Sequence, residues 1–383
     1  MTFKIPFNKP CIVGPELIYV GDAIANGHAG GDGPFTRRAQ TLMKDRFGAR
    51  RILLTTSCTA ALEMAALLCE LGPGDEVIMP SYAFVSTANA AVLRGAIPVF
   101  VDIRADTLNI DERLIEAAIT PRTRAIFPIH YAGVACEMDE IMAIARRHDL
   151  LVVEDAAQGV FAKYKDQWVG TIGHAGCYSF HETKNYSCGE GGALVVNDAG
   201  WEQRAEILHQ KGTNRSRFLR GEVDMYTWMD VGSSYAPSDL LAAFLLGQIE
   251  NMEKITARRS EICARYASML APLVERGAIR TPVIPQHCAT NHHMFYVLAA
   301  DIEQRTALIA HLREAGILAV FHYVPLHSSP FARSLGVPQV SLPVTDDVSS
   351  RLLRLPMYFD LTDREVAQVA GAVLDFYRNW GTP

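Results

Sequence analysis

The sequence has no long hydrophobic run and no strong excess of charge. No stretch of 18 or more apolar residues occurs, so no transmembrane helix is predicted. Residues 1–8 lack the continuous apolar stretch of a secretory signal peptide. Lys and Arg number 36 against 42 Asp and Glu, and the resulting net charge of −6 disfavours nucleic-acid binding through bulk positive charge. We therefore expect a cytoplasmic protein with no membrane or nucleic-acid partner.

Several signatures of metal and nucleotide sites are also missing. The 8 cysteines include no Cys-x-x-Cys pair, and their wide spacing predicts reduced thiols. His322 and His327 are not spaced as a helical metal pair, and no metal site is predicted. Neither G-x-x-x-x-G-K nor G-x-G-x-x-G follows a predicted strand, which disfavours P-loop and nicotinamide-binding proteins.

The first part of the chain alternates predicted strands with predicted helices. Apolar strands are predicted over 52–55, 76–80, 98–102, 124–130 and 150–155, and helices over 60–71, 85–94, 112–119 and 138–148. Such strands are typical of a parallel sheet covered on both faces. Ligands bind beyond the carboxyl ends of these strands. The residues at those ends are 57–59, 80–84, 130–131 and Asp155.

The pattern changes in the second part of the chain. Predicted strands 176–180 and 192–197 are joined by a Gly-rich connection, and 238–269 is predicted as one long helix. Beyond it come strand 294–299, helix 305–315, strand 319–323 and a final helix. We predict an α/β protein with a mixed, mostly parallel sheet in a large domain (1–250) and a small α+β C-terminal domain (251–383).

Two residues suggest the chemistry of pyridoxal phosphate. Lys184 lies in a polar, Gly-rich turn after a strand, and a buried lysine loses its proton readily, as Schiff-base formation requires. The alternative for Lys184 is a solvated surface charge. Asp155 follows four apolar strand residues and could pair with a protonated pyridine nitrogen. The alternative for Asp155 is a helix N-cap.

Three further groups of residues could complete such a site. Ser57 and Thr59 lie at a strand-to-helix junction, which predicts either a phosphate site or N-capping. Phe84 could lie on a cofactor ring or in the core. A Pro-containing loop of the second domain carries residues that we expect to be exposed, either as polar substrate contacts or as plain surface residues: His322, Tyr323 and His327.

The stretches SCTAALEMAA, VVEDAAQG, SFHETKN, GEGGA and FHYVPLH together resemble the DegT/DnrJ/EryC1/StrS family of sugar aminotransferases. The resemblance covers nearly the whole chain. It implies the PLP-dependent transferase fold type I, which is aspartate aminotransferase-like, and pyridoxal 5'-phosphate (PLP) as cofactor. It also implies L-glutamate and a sugar nucleotide as substrates. The narrower resemblance is to members that transaminate a 4-keto-6-deoxy sugar at C4, in the synthesis of amino sugars for surface polysaccharides.

The resemblance also implies roles for individual residues. Lys184 would form the Schiff base, Asp155 would face the pyridine nitrogen, Gln158 would lie near the ring hydroxyl, and Phe84 would stack on the ring. The phosphate would be held by Cys58, Thr59 and Ser179. A homodimer is implied, with Ser234 reaching the phosphate of the neighbouring subunit, and the N-terminal segment 1–30 would lie near the substrate site.

The chain departs from its family at two of these positions. Many members carry Gly where Cys58 stands, although a backbone N–H would still serve there. Ser234 replaces an Asn of the motif G-x-N-Y, which makes the contact between subunits shorter. At a third position the sugar 3-dehydratases of the family carry His, whereas this chain has Lys184, which favours transamination.

Some assignments remain open at this stage. The sugar diphosphate needs cations, and the candidates are also typical surface arginines: Arg37, Arg38, Arg215 and Arg217. Alternative functions are transamination at C3 or of a UDP- or GDP-linked sugar, and sugar dehydration. A cofactor-binding regulator would need an added DNA-binding segment, for which the resemblance leaves no residues.

Overall fold

The computed structural model describes residues 3–337 and 340–380. Its centre is a seven-stranded sheet in the order β1-β9-β8-β5-β4-β2-β3. These strands are β1 (Arg51–Thr55), β2 (Glu76–Pro80), β3 (Ile97–Val101), β4 (Thr123–Ile126), β5 (Leu151–Asp155), β8 (Ala175–Ser179) and β9 (Gly192–Val196). A smaller sheet joins β6 (Lys163–Tyr164), β7 (Gln167–Trp168) and β10 (Cys288–Ala289).

All neighbours in the main sheet run parallel except β9, which is antiparallel to both β1 and β8. The chain passes from β8 to β9 without a crossover helix. A connection of this kind returns the chain antiparallel, whereas parallel pairing needs a longer crossover. The predicted fold class, a mixed and mostly parallel α/β sheet, is therefore confirmed.

The main sheet is buried on both faces. Along the strands, alternate residues enter different cores: Leu54, Val152 and Val195 belong to one, and their neighbours Leu53, Val153 and Leu194 belong to the other. This follows from the two-residue period of a strand. The covering helices include α1 (Glu16–Ala25), α2 (Pro34–Phe47), α3 (Cys58–Leu68), α4 (Val85–Val92), α5 (Glu112–Ile115), α6 (Met138–Arg147), α7 (Glu202–His209), α8 (Arg215–Leu219) and α9 (Asp239–Glu250).

The C-terminal part has a core of its own. An antiparallel sheet, β11-β13-β12, contains β11 (Tyr296–Leu298), β12 (Val320–Phe321) and β13 (Leu352–Arg354). Its helices are α10 (Met252–Glu275), α11 (Ile302–Glu314), α12 (Pro330–Ser334), α13 (Pro343–Arg351) and α14 (Asp363–Asn379). Ile5 joins this core. The division of the chain at residue 250 remains a proposal.

The prediction of one helix over 238–269 was wrong. Helix α9 ends at Glu250 and α10 begins at Met252, while Asn251 between them has φ −114° and ψ 19°. The Asn251 side-chain amide donates a 2.8 Å hydrogen bond to the Gly247 carbonyl, four residues earlier. Asn side chains compete with the backbone in this way, which disfavours a helix interior. The sequence prediction also omitted α1, α2 and the hairpin of β6 and β7.

Within residues 3–337 and 340–380, no helix is long and apolar enough to cross a bilayer. In the same residues, no three His, Cys, Asp or Glu side chains converge as metal ligands. All eight cysteines are free.

Gly192, the first residue of β9, lies between Thr55 of β1 and Ser179 of β8 and beneath the start of α3. A Cβ atom there would lie 2.3 Å from the Ser57 carbonyl carbon and 2.4 Å from the Cys58 nitrogen. Both are backbone atoms, so the clash cannot be relieved by a rotamer change. The glycine therefore permits the close approach of α3 to the sheet.

We expect Gly192→Ala to lower the free energy of unfolding by about 1–3 kcal/mol, the usual cost of overpacking. Thermal unfolding would measure the change. The matched control is Gly371→Ala in α14, where the added Cβ meets nothing within 4 Å and should stabilise by about 0.5–1 kcal/mol. Equal stabilities of the two variants would contradict the prediction.

Candidate active site

The carboxyl end of β5 carries two adjacent acids with different roles. Glu154 is fully buried and accepts a 3.0 Å hydrogen bond from His130 and bonds of 2.7–2.8 Å from the backbone N–H groups of Gly170, Ile172 and Gly173. Because successive side chains of a strand point to opposite faces, Asp155 is directed the other way, toward Lys184.

Asp155 is buried and only partly satisfied. Its carboxylate accepts a 2.5 Å hydrogen bond from the Thr87 hydroxyl of α4 and a 3.1 Å bond from the Ala157 N–H. The second bond closes a turn, and no helix lies between β5 and β6 for Asp155 to cap. A carboxylate has about four acceptor positions. Asp155 therefore retains capacity for a protonated ring nitrogen.

Lys184 lies in the turn between β8 and β9, where its backbone N–H donates a 2.9 Å hydrogen bond to the His181 carbonyl. Burial lowers the pKa of its side-chain amine, and the positive charge of Arg354 acts in the same direction, while Cys58 and Asp155 oppose the shift. A lowered pKa increases the fraction of neutral amine at a given pH. Lys184 is half-buried rather than exposed, which differs from the solvated surface lysine of the alternative.

The start of α3 lies at the same edge of the sheet. Ser57 caps the helix by accepting a 3.0 Å hydrogen bond from the Ala60 N–H, as the capping alternative predicted. The Thr59 and Ser86 hydroxyls are 2.7 Å apart. Burial raises the pKa of the Cys58 thiol well above its usual value, so the thiol stays protonated and the backbone N–H groups are the donors available to an anion.

Phe84 does not belong to the core. It precedes α4 and is 57% exposed, and its ring centroid lies 6.3 Å from that of Tyr323. The Tyr323 hydroxyl accepts a 2.9 Å hydrogen bond from the side-chain amide of Gln158, whose carbonyl accepts 2.7 Å from the Ala132 N–H. Tyr323 thus links an exposed aromatic face to a fixed amide, and it lies within electrostatic range of Asp155.

These residues fit pyridoxal phosphate. An amine with a lowered pKa and a carboxylate with free acceptor capacity suit its aldehyde and its pyridine nitrogen, and the exposed Phe84 ring suits its flat face. The phosphate would meet the N-terminus of α3, close to Thr59 and to the buried Ser179.

Comparison with known proteins decides the family. The sequence profile of the DegT/DnrJ/EryC1/StrS aminotransferase family matches residues 11–374. The chain belongs to this family. It is a PLP-dependent sugar aminotransferase.

Solved structures of other aminotransferases have the same fold as this chain. Spr1654 from Streptococcus pneumoniae, assigned as a sugar aminotransferase and solved in apo, PLP and PMP forms, is 26% identical; the apo form has a TM-score of 0.91, with 98% of both chains covered. DesV from S. venezuelae is 29% identical over 98% of this chain and 99% of its own, with a TM-score of 0.88. A family member from Brucella abortus is 29% identical over 94% and 95%, with a TM-score of 0.86.

The expected exposure of the two histidines in the second part of the aminotransferase was wrong. His322 and His327 are each 6% exposed. His322 Nδ1 lies 2.7 Å from the Tyr131 hydroxyl, and His327 Nδ1 lies 2.7 Å from the Ser81 hydroxyl. The loop packs against the ends of β2 and β4, which covers both imidazoles. Burial, with the charges of Arg354 and Lys184, lowers the pKa of His322 well below its usual value.

The four arginines proposed as diphosphate contacts remain untested, and three of them have partners within the described chain. Arg37 donates to the Asp32 carbonyl at 2.7 Å, Arg38 pairs with Glu250 at 3.9 Å, and Arg217 pairs with Glu222 at 3.1 Å. Arg215 is exposed at the start of α8. The partners of Arg37, Arg38 and Arg217 are those expected of typical surface arginines.

Ser234 is exposed and lies beside Tyr235, whose carbonyl accepts a 2.8 Å hydrogen bond from the Thr56 N–H. Its role toward a neighbouring subunit remains a proposal.

Sequence analysis missed two residues that shape the site, Thr87 and Arg354, and it gave no role to Tyr131, although it placed that residue at the ligand-binding edge of the sheet. Thr87 bonds Asp155, and its position one turn after Phe84 on α4 is a signal that could have been used. Tyr131 follows β4 and touches His322. Arg354 ends the short strand β13, and nothing local marks it as a site residue. The N-terminal segment also reaches the site region, since Asn8 donates 2.9 Å to the Glu182 carbonyl.

The lowered pKa of Lys184 has a measurable consequence in the cofactor-free protein. Amine reagents attack the neutral form, so the pH at which Lys184 becomes half-maximally reactive should lie below that of an ordinary lysine. Lys165 is the internal control, because its hydrogen bond to Asp139 raises its pKa. Mass spectrometry of protein labelled across a pH series would compare the two midpoints. If the midpoint for Lys184 lies at or above that of Lys165, the Lys184 amine does not have a lowered pKa.

Proposed function

We propose that this aminotransferase transfers the amino group of L-glutamate to C4 of a nucleotide-linked 4-keto-6-deoxy sugar, as a dTDP-4-amino-4,6-dideoxygalactose transaminase does. The substrate would be dTDP-4-keto-6-deoxyglucose, and the enzyme would act in the cytoplasm in the supply of amino sugars for surface polysaccharides. Lys184 carries the proposal. Its amine has a lowered pKa and stands where the family's sugar dehydratases carry His.

The residues of the site would divide the work as follows. Bound PLP supplies the electron sink that acidifies the α-carbon of the donor. The Lys184 amine would take the proton from that carbon, and in the second half-reaction it would deliver a proton to C4 of the sugar. Acid–base help of this kind is worth ~10²–10⁴-fold. Asp155 holds the proton at the ring nitrogen, and Phe84 orients the ring.

Tyr323 is the best placed of the three proposed sugar contacts. It is half-buried, and its hydroxyl is already oriented by Gln158. His322 and His327 would act indirectly, since each is buried and bonded to a residue that follows a main-sheet strand, Tyr131 and Ser81 respectively. A substrate hydroxyl could therefore meet Tyr323 directly while the histidines hold the loop in place.

We further propose a homodimer that shares its active sites. The segment before Ser234 exposes large apolar side chains, with Met225 at 81% and Trp228 at 80% exposed. Several large apolar side chains exposed within one short segment are typical of an interaction site. In a two-fold dimer each subunit offers the same patch, so the Ser234 segment of each would approach the other's phosphate site.

The first experiment is the visible absorbance of the PLP-loaded enzyme before and after addition of L-glutamate. We expect the yellow band to bleach and then to recover on addition of the keto sugar nucleotide that is the true acceptor. Panels of dTDP-, UDP- and GDP-linked 3-keto and 4-keto sugars would distinguish the alternatives. Mass spectrometry of the product separates an amine from a dehydrated sugar. A band that glutamate leaves unchanged would exclude this donor.

In the same assay, Lys184→Ala should lose transamination by several orders of magnitude, because the residue that moves the proton is gone. The control is Lys165→Ala, which removes an exposed lysine paired with Asp139 and should retain activity. Full turnover by the Lys184 variant would refute its catalytic role.

Sharing of sites between subunits can be tested by mixing two inactive variants. Ser234→Asp places a negative charge at the proposed phosphate contact and should weaken PLP binding. The Ser234→Asp and Lys184→Ala variants are unfolded and refolded together, so that half of the randomly formed dimers are hybrids. If Ser234 acts across the interface, each hybrid has one intact site, and the mixture should regain about a quarter of the wild-type activity. No recovery on mixing would place Ser234 in its own subunit's site.

A further inference from the structure

Arg354 is a half-buried cation without a matching anion. It ends β13, where it is paired with Tyr296 of β11 and Val320 of β12. Within residues 3–337 and 340–380 its buried Nε has no hydrogen-bond acceptor, and the groups that favour its charge include no carboxylate. Arg351, three residues earlier, also has an unpaired Nε, but its guanidinium is bonded to Asp347 and to the Ala299 carbonyl. An uncompensated buried cation is costly.

The surroundings of Arg354 hold it in place without neutralising it. Its Cζ lies 4.5 Å from the centre of the Phe7 ring. Stacking of this kind occupies a face of the guanidinium and leaves its in-plane N–H groups free. The ionisable groups that favour its charge are the phenols of Tyr82, Tyr131 and Tyr323, whose own pKa values burial raises, so they are neutral at pH 7.

Arg354 also lies within electrostatic range of the reacting amine. Its charge lowers the pKa of Lys184 and of His322. These two groups come from the large sheet and from the loop after β12. Phe7, on which Arg354 stacks, is followed by Asn8, whose side-chain amide donates a 2.9 Å hydrogen bond to the Glu182 carbonyl, two residues before Lys184. The guanidinium therefore lies close to the turn that carries the reacting amine.

We propose that Arg354, stacked on Phe7, binds the α-carboxylate of the amino donor. This inference rests on the proposed function. In an amino acid, the α-carboxylate is attached to the carbon that bears the reacting nitrogen, so it must lie close to Lys184 Nζ. The diphosphate of a sugar nucleotide is attached to C1, across the sugar ring from C4, and lies farther from the reacting atoms. The fork of a guanidinium matches a carboxylate with two parallel hydrogen bonds.

The test follows bleaching of the visible band in PLP-loaded Arg354→Gln as a function of donor concentration. We expect the half-saturating L-glutamate concentration to rise about 10- to 100-fold, as for loss of a charged hydrogen bond. Three donors show which carboxylate of glutamate Arg354 binds. L-glutamate has both carboxylates, L-glutamine retains only the α-carboxylate, and the α-amide of L-glutamate retains only the side-chain carboxylate. The substitution should weaken binding of the first two and leave the α-amide unchanged.

Recovery of the band with the sugar nucleotide is the second arm. Its half-saturating concentration should not change in Arg354→Gln. Arg313→Gln, an exposed arginine of α11, is the matched control and should behave as the wild type. Phe7→Leu should shift the glutamate dependence in the same direction by a smaller factor. If Arg354→Gln does not fold, as judged by thermal unfolding, Arg354→Lys keeps the charge but loses the fork, and should show an intermediate shift.

Several outcomes would overturn the proposal. They are an unchanged glutamate dependence, an equal loss for the α-amide, or a loss confined to the sugar nucleotide, which would make Arg354 a phosphate contact. If glutamate fails to bleach the wild-type enzyme, the proposed donor is wrong. The same comparison, made with whichever amino acid does bleach it, then still decides the role of Arg354.

Discussion

The geometry of the site depends on the buried carboxylate of Glu154. The Cys136 N–H donates to His130 Nδ1 at 3.1 Å, so the imidazole proton resides on Nε2 and is donated to Glu154. With three backbone N–H groups from the turn at 170–173, this gives the carboxylate four donors. Without them a buried charge here would be strongly unfavourable. The bonds join the ends of β4 and β5 to that turn.

Because Glu154 is held in this way, the face of the sheet toward which the Asp155 side chain points is fixed. The next side chain along a strand must point to the other face, and there Thr87 and the Ala157 N–H orient its carboxylate. The same edge of the sheet receives α3, which can approach because Gly192 has no side chain. A carboxylate, a helix N-terminus and the Lys184 turn are thus positioned by the backbone of one sheet.

The C-terminal part completes the site with groups of a different kind. It contributes the cation Arg354, the phenol of Tyr323 and the imidazole of His322, whose pKa burial lowers well below its usual value. The half-buried positive charge of Arg354 favours anionic substrates. It also keeps the Lys184 amine neutral more readily than water would, which is the state that attacks a carbonyl. Affinity and reactivity therefore arise from the same burial.

The sequence by itself determined the strands of the main sheet and the polar residues at their carboxyl ends, because an apolar run that stops at a polar residue is a local signal. It predicted roles for Asp155, Lys184 and the start of α3, and the family motifs identified the cofactor. It did not determine the break at Asn251, the burial of His322 and His327, or the exposure of Phe84. Those features arise from contacts between distant segments: Thr87 and Asp155 are 68 residues apart, and Tyr131 and His322 are 191 apart. Only the tertiary structure decides which segments meet, because the packing of the C-terminal part against the main sheet leaves no pattern in the residues on either side.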